Sequence, residues 1–89
     1  MLIPGKLYKQ KLAFFRGYDG EGYTTIEPVG PDPSNLKEWV RVTPDTIMMY
    51  LGMEPDRHGH GGKIIYLLIG DKICQWWTHN PNEDFVRVP

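Results

Sequence analysis

One cysteine is all the thiol chemistry this chain contains: Cys74 has no second thiol to pair with, so an internal disulfide is excluded. It lies in the apolar stretch KIIYLLIGDKICQWW, where a small, buried and chemically inert side chain is expected. Long hydrophobic runs are missing as well. None approaches the roughly 20 residues that span a bilayer, and the opening MLIPGKLYKQ lacks the apolar centre of a secretory signal, so the sequence predicts a cytoplasmic protein without membrane association. Room for helices is scarce, because ten glycines and eight prolines in 89 residues interrupt the chain too often for helices of ordinary length. Net charge is almost absent, at −1 from ten basic and eleven acidic residues, so any recognition by charge has to be local.

What remains is a β-rich chain long enough for one hydrophobic core, and residues 1–89 are expected to form a single domain. Apolar residues alternate or fall in short β-branched and aromatic blocks, which is strand rather than helix patterning. Strands are expected at Gly5 to Leu12, Tyr23 to Val29, Trp39 to Val42, Thr46 to Met53, Lys63 to Ile69 and Lys72 to Trp77, with a short closing strand at Phe85 to Val88. Gly70-Asp71 between the fifth and sixth suits a tight hairpin turn with a positive first φ. Pro44-Asp45-Thr46 fits a short helical turn with Thr43 as its cap. Gly30 to Lys37 and Glu54 to Gly62 are expected as long surface loops. Alternation within these strands places Leu7, Ile26, Val40, Ile47, Met49, Leu51, Ile65, Leu67, Ile73 and Val86 in the core.

The segment TIMMYLG, a loop, the hairpin around LLIGDKICQWW, a turn and the closing strand FVRV resemble, in order and spacing, a Src-homology-3-like small barrel. That resemblance implies a partly open barrel of five to six strands with long loops, one helical turn before the last strand, and a last strand returning beside the first. A narrower resemblance is to Sm-like proteins, through Tyr66, Leu67, Leu68, Ile69, Gly70, Asp71, Lys72 and Ile73; Ile69 stands where that family has an arginine that helps to hold RNA. Small barrels similar to this one also occur among phage and environmental sequences of unassigned role. The aromatic and acidic residues of the proline-ligand groove in signalling domains are not matched.

Chemistry-bearing clusters are sparse. His58 and His60 could share a metal across an extended backbone, but two ligands do not close a site, and no metal is expected. GHGGK at residues 59–63 is too short for a phosphate-cradling loop and precedes a strand, so no nucleotide or other cofactor is expected. No nucleophile and base are brought together by spacing, which argues against an enzyme.

Two features point to binding instead. Lys6, Lys9, Lys11 and Arg16 crowd the first sixteen residues without an acid among them, interleaved with Tyr8, Phe14 and Phe15, a pattern that could grip single-stranded RNA or DNA. Trp76 and Trp77 are adjacent in a strand, so one must face the core and the other must face away, where it could serve a subunit or partner contact. The leading expectation is a non-catalytic binding or structural module acting through protein contacts, including self-association; the alternative is an Sm-like binder of single-stranded nucleic acid.

Overall fold

The computed structural model describes residues 2–11, 22–29, 39–56, 59 and 61–89. Within them lie β1 (Leu7–Gln10), β2 (Thr24–Pro28), β3 (Val40–Val42), β4 (Met48–Pro55), β5 (Lys63–Ile69), β6 (Lys72–Thr78), a single helical turn α1 (Pro81–Asp84) and β7 (Phe85–Arg87). The strands form one sheet in the order β3-β2-β6-β5-β4-β1-β7, curled into a half-barrel in which every pairing is antiparallel. The protein is all-β. Seven strands among the described residues correct the five to six of the barrel that the resemblance implies, because every segment read as a strand, the three-residue edges β3 and β7 included, pairs into the sheet.

Local sequence explains the joints. Ile69 pairs directly with Lys72, so Gly70-Asp71 is a two-residue hairpin loop; Gly70 has φ of 62° and Asp71 is not in the positive region, which is the II′ class. At Pro44-Asp45 the chain makes a hydrogen-bonded turn and not a helix. The Thr46 N–H donates to the Thr43 carbonyl at 3.1 Å, and the Thr43 N–H donates to the Thr46 hydroxyl at 2.9 Å. The expected loop from Glu54 is shorter than the sequence suggests, since β4 continues through Glu54 and Pro55 opposite Ile64 and Lys63. The Asp56 N–H then bonds the Gly62 carbonyl at 3.3 Å and closes the bend. Gly30 to Lys37 lies outside the described residues.

The concave face holds the core. Cross-strand partners share a face, so Tyr50, Leu67, Cys74 and Pro28, which pair in turn across β4, β5, β6 and β2, form one inward rung. Ile26, Val42, Met48, Ile65 and Phe85 are buried beside it, with Tyr8 set edge-on to Tyr50 at 6.3 Å between ring centres. Ile26, Ile65 and Leu67 lie inside as expected and Val40 is half-buried beside Ile26, but Met49, expected in the core, is half-buried on the outer face opposite Leu68.

Leu7, Ile47, Leu51, Ile73 and Val86 are exposed, which corrects their expected burial. In β1, β6 and β7 the alternation runs one residue out of step with the expectation: Tyr8, Cys74 and Phe85 point inward. In β4 the inward set is Met48 and Tyr50, and a bulge at Leu51 shifts the register between Tyr50 and Gly52. Each of these strands carries an apolar or aromatic residue on both sides, Leu7 and Tyr8, Met49 and Tyr50, Ile73 and Cys74, and Val86 and Phe85, so a slip of one residue costs little sequence pattern while it reverses every side chain.

Candidate contact surface

The register fixes what the convex face displays. On β5 the outward residues are Ile64, Tyr66 and Leu68; on β6 they are Ile73, Gln75 and Trp77. They pair as Ile64 with Trp77, Tyr66 with Gln75 and Leu68 with Ile73, so the hairpin turns three uncharged rungs outward. The Leu68–Ile73 rung continues through Met49 to Leu7 on one side, and on the other to Val29, whose N–H bonds the Ile73 carbonyl at 2.8 Å. A sheet with one solvated face ordinarily alternates apolar inside with polar outside. Here the apolar residues occupy both.

Trp76 and Trp77 divide as strand alternation requires. Trp76 packs against the core from the inner face, half-buried, and its indole N–H donates to Asp84 Oδ2 of α1 at 3.3 Å. Trp77 is 45% exposed on the outer face. Its indole N–H is shared between Asp56 Oδ2 at 3.2 Å and the Gly61 carbonyl at 3.1 Å, and His79 stands edge-on to its ring at 4.5 Å. Gly62, with φ of 83°, allows this bend to close: a β-carbon there would lie 2.7 Å from the Thr78 carbonyl oxygen. The ring is therefore exposed and also oriented by two hydrogen bonds.

The basic segment is distributed differently. Lys6 is exposed in the turn before β1, where Pro4 and Gly5 (φ 85°) let the Lys6 N–H reach the Ile3 carbonyl at 3.1 Å. Lys9 and Lys11 are half-buried and alternate with Tyr8 and Gln10, which point inward. Tyr8 is buried, and its hydroxyl accepts the Ile3 N–H at 2.8 Å, so its ring offers no stacking face. Arg16, Phe14 and Phe15 lie outside the described residues, as do His58 and His60.

Two buried groups complete the inventory. Cys74 is fully buried; its thiol donates to the Lys72 carbonyl at 3.8 Å, and burial pushes its pKa up against a weaker pull downward from the Lys72 charge. Gln10 is 3% exposed, and its amide oxygen and nitrogen have no hydrogen-bond partner among the described residues. Sequence reasoning named Trp76 and Trp77 together by adjacency, without choosing which faces away from the core, and missed the rest of the outward face. Its signal was the unbroken apolar run in β5, which two-sided burial also produces.

No helix among the described residues is long and apolar enough to cross a membrane. Compared with protein-family models, curated proteins and solved structures, the chain matches none.

Proposed function

We propose that this protein is a non-catalytic small-barrel module that works through protein contacts, with Trp77 as an anchor of the contact. The observation that carries the reading is the Trp77 ring, 45% exposed yet oriented by Asp56 and Gly61. Holding a large aromatic in place before binding lowers the entropy lost on association, and Trp is among the residues most enriched at binding hot spots. We further assign the barrel to the Src-homology-3-like or Sm-like style. The turn α1 before the last strand and the return of β7 beside β1 support that assignment.

The second reading, binding of single-stranded nucleic acid, draws on Lys9 within β1 and on Lys6 and Lys11, which flank that strand. Burial of Tyr8 counts against it. Gel shifts with oligonucleotides over a range of salt separate the two. A nucleic-acid binder loses affinity steeply as salt rises, because neutralised phosphates release counterions. The contact reading is tested by Trp77→Ala, which should weaken association by about 2 kcal/mol or more while the monomer stays folded. Unaltered association in that variant would remove Trp77 from the contact.

A further inference from the structure

We infer that the outward face of the β5–β6 hairpin is the surface on which two copies of this chain meet, a placement that rests on the protein-contact reading above. Its six outward positions, Ile64, Tyr66, Leu68, Ile73, Gln75 and Trp77, include no Asp, Glu, Lys or Arg. Glu54 and Glu27 stand at its margins, opposite Ile64 and Gln75, and Glu54 accepts a hydrogen bond from the Tyr66 hydroxyl. An uncharged centre with polar margins is the layout of a protein interface.

Area supports a stable contact. Ile73 at 49% and Trp77 at 45% exposure, with the outward residues around them and Leu7 and Val29 at the ends of the Leu68–Ile73 rung, leave on the order of 500 Å² of apolar surface, against about 800 Å² per partner in a standard interface. That ratio is near the apolar share of a homodimer interface, roughly 65% at its core.

Self-complementarity selects the occupant. A two-fold contact lays a patch on itself, so a charged patch repels its copy and an uncharged one does not. A foreign partner chosen by charge finds none at the centre of this face. Curvature selects the strands: in a sheet curled into a half-barrel the middle of the strand order, where β6 and β5 lie, is the crest of the convex face, so two convex faces touch there and diverge toward β1 and β2. Leu68, Ile73 and Trp77 are then central, with Leu7 and Val29 at the rim.

Light scattering on the full chain across a wide concentration range tests this, with Ile73→Lys and Val29→Lys as variants whose folding is checked by circular dichroism. The unmodified chain should show twice the chain mass. Ile73→Lys should raise the dimer dissociation constant about thirtyfold or more and Val29→Lys only severalfold, since central positions dominate binding. Peroxide oxidation of Met49 in the unmodified chain should slow as concentration rises, while that of Met53, which lies on the other face, stays constant. That readout stands even if a variant fails to fold. A monomer at every concentration overturns the inference, whether or not it binds neutral lipid vesicles. A dimer indifferent to Ile73→Lys and to Trp77→Ala alike overturns this placement, while the protein-contact reading survives through self-association on another face.

Discussion

Replacing Trp76 with alanine tests whether the paired tryptophans divide between core and contact. Its ring packs on the inner face against the core cluster, and its N–H reaches Asp84 at 3.3 Å. Truncating a buried Trp to Ala costs about 3–5 kcal/mol, and because Trp76 is half-buried the lower figure, ~3 kcal/mol, applies. For a domain of 89 residues the total stability is of the order of 4–13 kcal/mol, so the loss takes a large part of it. At about 4–8 °C per kcal/mol, the thermal midpoint should fall by roughly 12–24 °C. Trp76→Phe keeps most of the ring and forfeits the bond to the Asp84 carboxylate, a loss of about 1 kcal/mol. Urea titration followed by circular dichroism, with Trp77→Ala alongside, measures all three. Trp77→Ala should cost the monomer about 1 kcal/mol, for the two shared hydrogen bonds at its indole. Equal losses for the two alanine variants, with solution mass unaltered, would refute the division and with it the contact role of Trp77.

Three further outcomes follow from single observations. Gln10→Leu should stabilise the protein by about 1–2 kcal/mol in a thermal melt, because it removes a buried amide with both polar atoms unpartnered among the described residues at little change in volume. Destabilisation by that change would show that the amide is satisfied. Gly62→Ala should cost about 2–3 kcal/mol, since it combines a positive φ with a β-carbon 2.7 Å from a backbone oxygen that cannot swing aside; a neutral result in urea would mean that the bend relaxes freely. Alkaline pH should destabilise the fold, because burial raises the pKa of Cys74 above its ordinary 9.0 and that of Tyr50 above 10.0, the latter with a smaller push from Tyr8. The unfolded thiol and phenol lose their protons first. The stability linked to these groups is therefore whole below pH 9 and is lost as pH rises through the folded values. Cys74→Ala should flatten the first part of that decline in pH-dependent melts, and an unchanged profile would exclude Cys74 as its source.

Element positions were legible in this sequence to a degree that side-chain direction was not. Glycine and proline punctuation marked the strand ends well, and β5 spans Lys63–Ile69 as expected because Gly62 and Gly70 bound it. Direction was legible where polar residues alternate: in β2 the sequence Thr-Thr-Ile-Glu-Pro buries Ile26 between exposed Thr25 and half-buried Glu27. It was not legible in Ile47-Met48-Met49-Tyr50-Leu51, where every residue is apolar or aromatic and either set could face inward. Alternation alone allowed the expected set Ile47, Met49 and Leu51 as readily as Met48 and Tyr50. The structure decides otherwise, since Met48 pairs with Tyr8 and Tyr50 with Leu67 on the concave side.

The ambiguity in direction and the candidate contact have one physical origin. A strand that must bury one face and wet the other gains from alternation, and selection on that face alone would let polar residues settle on the outside of β5 and β6. Ile64, Leu68, Ile73 and Trp77 nevertheless face outward, on the side of the sheet opposite the core cluster. The exposure of Ile73 and Trp77 carries a standing risk of nonspecific association, which short edge strands limit elsewhere in the fold. An apolar outer face retained beside three-residue edges is what a protein needs if it associates face to face and avoids pairing edge to edge. For that reason Ile73→Lys should weaken face-to-face association without promoting aggregation, whereas lengthening β7 by apolar residues should promote aggregation without strengthening that association.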